Sequence, residues 1–389
     1  MAIQPESGRV GHWSSNGPVR VLVVVALLLI FLLGVRGLGD GFTLLGGDLL
    51  DGFFSATANP FIGLVVGILA TTLVQSSSVS TSMIVGLVAA PEHALPLSNA
   101  IPMVMGANIG TTVTNSMVAL GHIGRPDEFR RAFAVATCHD FFNYMTVLIL
   151  LPLELTTGLL QSVAVRLSTL LEGSGGYRYE SPLKPLLDAG IAPIGALGER
   201  WFSGELGPAV FMVVVSAALI FTALILLVRV MRSAMQTSVE RFLTGVLGSS
   251  AVLSMLIGAV ATIMVQSSSI TTSLLVPLGG AGIMTLQQAF PITLGANVGT
   301  TVTALLASLA VSGPNAVAGI EIALVHLLFN VIGTAIVYPI PAIRNIPLAT
   351  ARALADAAVR SKVVAWLYVA GLFYGLPALV VIVDRWLFG

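Results

Sequence analysis

Long apolar stretches separated by short polar clusters run through most of this chain. Val21–Gly34 is almost entirely aliphatic and aromatic, and Pro208–Val228 and Val363–Val383 are longer stretches without a charged residue. A helix needs roughly 20 apolar residues to cross the hydrocarbon core of a bilayer. The mean hydropathy is +0.96 and 9% of residues are charged, against roughly 25% in soluble domains. We therefore predict an all-α integral membrane protein.

The two halves of the chain carry the same polar motifs in the same order. Aligning Ala70–Ala89 with Ala261–Gly280 gives 11 identities in 20 positions. The offsets between the repeated motifs are 191, 189 and 187 residues, so only short insertions intervene. Such conserved order predicts two copies of one structural unit. The repeated motifs are QSSS at 75–78 and 266–269, GANxGTT at 106–112 and 295–301, and HxxFN at 139–143 and 326–330.

Each copy is predicted to contain three apolar elements. QSSS interrupts the first, whose halves are too short to span a bilayer, and this indicates a re-entrant helical hairpin with a polar tip. GANxGTT interrupts the second, and its two glycines favour a discontinuous helix. The third is a helix with HxxFN. The predicted segments are an N-terminal transmembrane helix with an interfacial segment (1–59), repeat 1 (60–153), an external linker (154–207), a transmembrane helix with a cytoplasmic turn (208–244), repeat 2 (245–340), and a cytoplasmic amphipathic segment with a C-terminal transmembrane helix (341–389).

The distribution of Lys and Arg predicts opposite orientations for the two copies. With a cytoplasmic N-terminus and an external 154–207 segment, twelve of the 18 basic residues fall inside and six outside, as the positive-inside rule favours. The first hairpin then opens outward and the second inward. The fold expected is therefore a pair of inverted-topology repeats.

The QSSS and GANxGTT motifs are candidate anion sites. Hydroxyls and amides can donate hydrogen bonds to an oxyanion, and their oxygens can bind sodium. A half-helix that begins at the Thr pair would aim its positive end at an anion. Helix packing is the structural alternative, but it does not require three consecutive serines. The candidate anion-binding residues are Gln75, Ser76, Ser77, Ser78, Thr111 and Thr112 in the first copy, and Gln266, Ser267, Ser268, Ser269, Thr300 and Thr301 in the second.

A fixed positive charge is missing from these segments. Neither Phe61–Leu120 nor Gly245–Leu309 contains a Lys or Arg. Taking a multiply charged anion out of water without compensation is very costly. Mobile cations that bind with the anion would supply the compensation. This favours a sodium-coupled symporter over an anion uniporter.

Asp140 departs from the repeat. It lies in an apolar helix, where the second copy has Leu327. An intramembrane carboxylate is a functional candidate and suits a hard cation, helped by Asn143 and Asn330. The structural alternative is a hydrogen bond to a neighbouring His or hydroxyl.

Several stretches resemble the type II sodium-dependent phosphate cotransporters, over about 60–155 and 235–345. They are QSSSVSTSMIVGLVA, IPMVMGANIGTTVTNSMVAL, DEFRRAFAVATCHDFFNYMTVLILLPLE and VQSSSITTS. The resemblance implies a symporter of sodium and inorganic phosphate, not an enzyme, that alternates access to a phosphate site between the two QSSS tips. The short, cysteine-free segment 154–207 is similar to bacterial members. The resemblance and the residue chemistry together give the expected sodium-binding set Asp140, Asn143, Asn297, Asn108, Asn330, Gln75 and Gln266.

The resemblance also bears on charge movement. Asp140 matches an aspartate of electrogenic members, which implies that three sodium ions accompany one divalent phosphate. One net positive charge would then cross the membrane, worth about 2.3 kcal/mol per 100 mV. His122 and Arg125 depart from the family, which has a Gln and an Asp there, so a sodium site at those positions is not expected.

Two other functions are compatible with the sequence. A sodium-coupled carboxylate transporter would be expected to place an Arg fork against its substrate, and a non-transporting scaffold would not need duplicated polar tips. Zero net charge gives no indication of nucleic-acid binding, and Cys138 is the single cysteine. We expect no cofactor and no transition metal, only sodium as the coupling ion. The expected partners are phosphate, sodium and the lipid bilayer, with a homodimer allowed, in the plasma or inner membrane.

Overall fold

The computed structural model describes residues 17–45, 47–172, 183–204, 206–245 and 250–388. Helices make up nearly all of these residues, and strands are absent from the described ranges. The prediction of an all-α protein is therefore confirmed. The N-terminal helices are α1 (Gly17–Leu45), α2 (Gly47–Ala58), α3 (Pro60–Val74), α4 (Ser77–Val88), α5 (Leu97–Gly110), α6 (Val113–Leu120) and α7 (Pro126–Thr157).

The second half of the chain repeats this order after three intervening helices. These three are α8 (Leu159–Glu172), α9 (Lys184–Trp201) and α10 (Leu206–Gly245). The repeated unit contains α11 (Ala251–Val265), α12 (Ser268–Gly280), α13 (Leu286–Ser308) and α14 (Ala316–Val337). The chain continues with α15 (Pro341–Arg360), α16 (Lys362–Ala370), a π-helical segment (Gly371–Gly375) and α17 (Leu376–Phe388).

Several of these helices are long and apolar enough to cross a bilayer. Six qualify within the described ranges, and a seventh would be the bent pair of Leu50–Ala58 and Pro60–Val74, whose axes differ by 113°. The chain is therefore a multi-pass membrane protein. The six spans are Pro18–Leu45, Pro126–Thr157, Leu206–Met231, Leu286–Ser308, Ala316–Val337 and Lys362–Asp384.

Each QSSS motif lies at the turn of a helical hairpin, as predicted. Gln75 and Gln266 both end a helix in the left-handed conformation, with φ of 55° and 56°. In the second hairpin Thr262 Oγ1 lies 3.0 Å from Thr271 Oγ1. Residues nine apart on a straight helix would be separated by roughly 13 Å along its axis, so α11 and α12 fold back on each other.

Each hairpin has a first arm (α3 or α11) and a second arm (α4 or α12), and the two repeated units interlock through the second arm of each hairpin. The first arms stay within their own unit, with α3 against α5 and α11 against α13. The second arms cross over: α4 packs on α13 and α14, whereas α12 packs on α6 and α7. Each unit therefore builds part of its core from the other.

The predicted break at GANxGTT is slight in the first copy and wrong for the second. The first copy has a two-residue turn at Thr111–Thr112, but α13 runs continuously through 295–301. The glycines serve close packing instead. A Cβ atom on Gly106 would overlap the Leu64 carbonyl oxygen, and one on Gly295 would overlap that of Met255.

The predicted linker 154–207 is largely helical where it is described. It includes the end of α7, all of α8 and all of α9. Its Gly-rich part at 173–182 lies outside the described residues. Glu154 accepts hydrogen bonds from the backbone N–H groups of Leu160 and Gln161 at the start of α8. The predicted amphipathic segment after repeat 2 forms α15.

Candidate functional site

The two hairpin tips face one cavity of about 260 Å³. Equivalent residues of both repeats line it, since positions 75, 76, 78 and 79 correspond to 266, 267, 269 and 270. α10 provides an apolar wall, and no charged side chain lines the cavity among the described residues. The polar lining consists of Gln75, Ser76, Ser78, Gln266, Ser267 and Ser269 from the tips, together with Thr114 from α6.

Each tip places a helix N-terminus at this cavity. Ser76 precedes α4 with extended backbone (φ −150°), and its hydroxyl accepts from the N–H of Val79 at 3.4 Å. Ser267 precedes α12 in the same way, with Ile270 as the donor at 3.4 Å. Helix N-termini carry partial positive charge and free N–H donors. The cavity is therefore suited to an anion although no Lys or Arg lines it in the described part of the chain.

A chain of side chains joins the two tips. Ser78 Oγ donates to Thr303 Oγ1 at 3.3 Å, and Thr303 Oγ1 donates to Gln266 Oε1 at 3.1 Å. The Gln266 Nε2 atom is satisfied by the Ile263 carbonyl at 2.7 Å. Repeat 1 and repeat 2 thus contact each other through polar groups at the cavity.

The remaining candidate anion ligands are not among the residues that line this cavity. Ser77 and Ser268 are buried, and their carbonyls accept from Thr81 and Thr272 one turn later. The four threonines of the GTT motifs donate to carbonyls of their own helices, a common mode for hydroxyls within helices. These are Thr111 to Ala107, Thr112 to Ile109, Thr300 to Ala296 and Thr301 to Val298.

The His and Asn residues that recur in both repeats form a buried network between them. His139 Nε2 lies 2.6 Å from Asn297 Oδ1, and His326 Nε2 lies 3.3 Å from Asn108 Oδ1. Each histidine of one copy therefore contacts the GAN asparagine of the other. Because an amide oxygen only accepts, both contacts require a protonated Nε2 atom.

The other two asparagines extend this network. Asn143 Oδ1 accepts from Asn297 Nδ2 at 2.7 Å, while Asn143 Nδ2 donates to the Asn108 carbonyl at 2.7 Å. Asn330 Nδ2 donates to Asn108 Oδ1 at 3.1 Å. The Asn330 Oδ1 atom is buried without a hydrogen-bond partner. The structure thus gathers the four asparagines predicted from the sequence, and it leaves one amide oxygen unsatisfied.

Asp140 lies beside this network and is fully buried. Its Oδ2 atom accepts from Tyr368 Oη at 2.6 Å and from Ser116 Oγ at 3.3 Å. Its Oδ1 atom has no hydrogen-bond partner in the described part of the chain. Within the described ranges no Lys, Arg or His pairs with this carboxylate. The structural alternative predicted for Asp140, a hydroxyl partner, is therefore present on one oxygen.

Sequence reasoning missed five polar residues of these sites, namely Thr303, Thr114, Asn115, Tyr368 and Ser116, which donates to Asp140. Thr303 and Thr114 occupy equivalent positions, the last Thr of GTTVT, so the repeat itself could have indicated them. Asn115 accepts from Thr272 and Ser273 and lies 3.5 Å from His139 Nδ1. Its repeat counterpart is Ala304, and Tyr368 lies outside both repeats, so no sequence signal pointed to either.

A larger cavity of about 440 Å³ lies between α7, α15 and the 282–286 segment. It contains Arg130, Arg131, Arg352 and Asp356 but no residue of the repeated motifs. The tip cavity is smaller, yet it gathers equivalent residues of both copies. We therefore assign the candidate site to the tips.

The Na+/Pi-cotransporter family model matches residues 30–170 and 219–376. The chain belongs to this family. The match covers both hairpins and both asparagine motifs. The family is one of transporters, not of enzymes.

Mammalian proteins are similar along most of the chain. The sodium-dependent phosphate transport protein 2A of Rattus norvegicus is 34% identical over 93% of this chain and 67% of its own length. That of Ovis aries is 33% identical over 97% and 70%, respectively. The human sodium-dependent phosphate transport protein 2B is 31% identical over 93% and 65%. No solved structure gives a significant match.

Proposed function

We propose that this protein couples sodium entry to uptake of inorganic phosphate and binds phosphate between the two hairpin tips. The observation that carries the proposal is the cavity lined by equivalent Gln and Ser residues of both repeats. The names of its relatives, sodium-dependent phosphate transport proteins, support the same substrate and ion.

The chemistry of the cavity supports an anion that needs a mobile counter-charge. Two helix N-termini and the tip hydroxyls supply donors, but no fixed cation lines the cavity among the described residues. A divalent oxyanion held this way remains undercompensated, and sodium ions that bind with it would reduce the cost. A carboxylate substrate is less well supported, because no Arg of the described ranges lines the cavity to form a bidentate pair.

We place the sodium sites at the oxygens of the buried network and of the tips. Asp140 Oδ1 and Asn330 Oδ1 are buried oxygens for which the described residues supply no hydrogen-bond partner. Sodium is a hard cation that prefers oxygen ligands, as calcium and magnesium do. The proposed set comprises Asp140, Asn143, Asn108, Asn297, Asn330, Gln75 and Gln266. No cofactor beyond these ions is proposed.

Alternating access is proposed to occur around the tip cavity. If the two units are inverted repeats, they would move as two bodies relative to each other. The binding sites would then lie near the midplane of the bilayer, as in other transporters built from inverted repeats. We propose a cell-membrane location with a cytoplasmic N-terminus, consistent with the Lys and Arg distribution. A homodimer is compatible with this arrangement.

The test is uptake of radiolabelled phosphate into proteoliposomes, with sodium replaced by choline in the control. Sodium-dependent uptake that carries inward positive current is the expected result for three sodium ions per divalent phosphate. Uptake that is equal in choline would reject sodium coupling, and uptake without current would reject the electrogenic form.

A matched pair of N-cap variants tests the placement of phosphate. Ser267 caps α12 at the cavity, whereas Ser250 caps α11 of the same hairpin through Leu253 and does not line the cavity. Both Ser→Ala changes remove a cap worth about 1 kcal/mol. Ser267→Ala should raise the phosphate concentration for half-maximal uptake at least several-fold, while Ser250→Ala should not. Equal phosphate dependence in both variants would mean that the tips do not bind phosphate.

A further inference from the structure

The two repeats differ at one polar cluster. Asn115, Ser116 and Asp140 of the first copy align with Ala304, Leu305 and Leu327 of the second. In the fold these three polar residues come together, because Ser116 donates to Asp140 and Asn115 contacts the neighbouring His139. All three positions are apolar in the second copy. The asymmetry is therefore concentrated at one place on the α6–α7 contact.

A residue outside both repeats completes this cluster. Tyr368 of α16 donates its hydroxyl to Asp140 Oδ2 at 2.6 Å. Its ring is surrounded by three aromatic rings, those of Phe133, Phe141 and Phe373, with centroid distances of 6.1, 6.0 and 6.2 Å. Such packing fixes the direction of the hydroxyl. Phe373 belongs to the π-helical segment, a rare local structure that frequently occurs at functional sites.

The carboxylate of Asp140 is under-compensated in this setting. It is fully buried, Oδ2 has two hydroxyl donors, and Oδ1 has no hydrogen-bond partner among the described residues, although the Thr112 hydroxyl lies near the carboxylate. An ionised carboxylate in an apolar interior requires a cation or a proton to offset its lost hydration. Because the Tyr368 and Ser116 hydroxyls both approach Oδ2, the other oxygen is left available for a cation.

We propose that Tyr368 is a positioning residue of a sodium site centred on Asp140, and that α16 thereby closes a site present only in the first repeat. This inference rests on the proposed function. The Tyr368 hydroxyl holds the carboxylate in one rotamer, so that Oδ1 is presented to sodium without further loss of side-chain freedom. The same hydroxyl also couples α16, which belongs to neither repeat, to the ion-binding state of α7.

Tyr368→Phe tests the hydroxyl while keeping the aromatic packing. The matched control is Tyr374→Phe, in the adjoining π-helical segment, because Tyr374 is partly exposed and does not contact Asp140. In Tyr368→Phe the sodium concentration for half-maximal uptake should rise about three- to ten-fold, as expected for loss of one hydrogen bond. The phosphate dependence and the maximal rate, both measured at saturating sodium, should stay within two-fold of wild type.

A binding measurement without phosphate makes the result independent of transport. Sodium should raise the melting temperature of the detergent-solubilised wild-type protein relative to choline, because a ligand stabilises the folded state. The sodium-dependent shift should become smaller in Tyr368→Phe and in Ser116→Ala, and it should be unchanged in Tyr374→Phe. Size-exclusion chromatography checks that each variant is folded.

The outcomes separate this inference from the proposed function. If wild type shows no sodium-dependent phosphate uptake, the proposed function fails. If wild type transports but Tyr368→Phe has the sodium dependence and the melting shift of Tyr374→Phe, the positioning role of Tyr368 is rejected while the symporter stands. If Tyr368→Phe does not fold, Ser116→Ala decides: an unchanged sodium dependence there rejects the site.

Discussion

His139 of the first repeat and Asn297 of the second form a buried contact of 2.6 Å between Nε2 and Oδ1. The equivalent pair, His326 and Asn108, is formed in the opposite sense at 3.3 Å. The histidine of each repeat thus contacts the asparagine of the GANxGTT motif in the other repeat. This exchange explains why the two motifs recur together: each histidine Nε2 finds its acceptor in the other unit.

The His139–Asn297 contact should show strong energetic coupling. His139→Leu or Asn297→Leu alone leaves a buried polar partner unsatisfied, which costs about 1–3 kcal/mol. The double variant removes both groups, so its loss of stability should be smaller than the sum of the two single losses by about 0.5–3 kcal/mol. Thermal melting of the purified protein measures this cycle. Additive losses would show that the contact contributes nothing specific, and the exposed His93→Asn variant is the control for a histidine outside the network.

Much of the fold could be predicted because it depends on local patterns. The apolar stretches predicted the spans, and the repeat predicted two hairpins, at whose turns Gln75 and Gln266 have nearly the same φ, 55° and 56°. The prediction of a helix break at the second GANxGTT motif was wrong, because a glycine in a helix permits either a break or a close crossing with another helix. Which one occurs depends on the partner helix, here α11, and a single helix sequence carries no information about its partner.

The candidate site could be predicted only in part. The repeated QSSS motif indicated the tips as candidates, but it did not indicate which serines line the cavity: Ser76 and Ser78 do, while Ser77 does not. That choice depends on how α4 is rotated against α13 and α14. Tyr368 approaches Asp140 from 228 residues away, and no periodic pattern marks such a long-range contact.

Gln75 should show a trade-off between stability and transport. Its φ of 55° places a non-glycine residue in the left-handed region, at a cost of about 1–2 kcal/mol that glycine avoids. Gln75→Gly should therefore keep or raise the melting temperature, yet lower phosphate uptake several-fold because the amide at the cavity is lost.

Melting and uptake of Gln75→Gly are best measured beside Gln75→Ala, which loses the amide without relieving the backbone. We expect equal loss of uptake in the two variants and a lower melting temperature for Gln75→Ala. Full uptake in Gln75→Gly would remove Gln75 from the proposed site.

Arg131 should fix the end of the second hairpin. Its Nε and Nη2 atoms both donate to the Gly280 carbonyl at the end of α12, at 2.9 and 2.6 Å. Hydrogen bonds from a charged group are worth about 1.5–3 kcal/mol. The neighbouring Arg130 instead forms an exposed ion pair with Asp356, worth about 0–1 kcal/mol. Arg131→Gln should accordingly increase hydrogen exchange at residues 278–284, and Arg130→Gln should not. Similar exchange in both variants would contradict this role of Arg131.

Gly295 should be intolerant of any side chain. A Cβ atom there would overlap the carbonyl oxygen of Met255, at the place where α13 crosses α11. Forcing atoms into a packed crossing costs typically 1–3 kcal/mol and sometimes more. Gly295→Ala should therefore lower the melting temperature by several degrees, and it should also displace the first arm of the second hairpin, so that uptake falls. Gly52→Ala in α2 is the matched control, since nothing lies within 4 Å of its added Cβ and alanine favours a helix by up to about 1 kcal/mol. If Gly295→Ala melts like Gly52→Ala, the two helices do not cross as closely as described, and the packing account of the glycine motif fails.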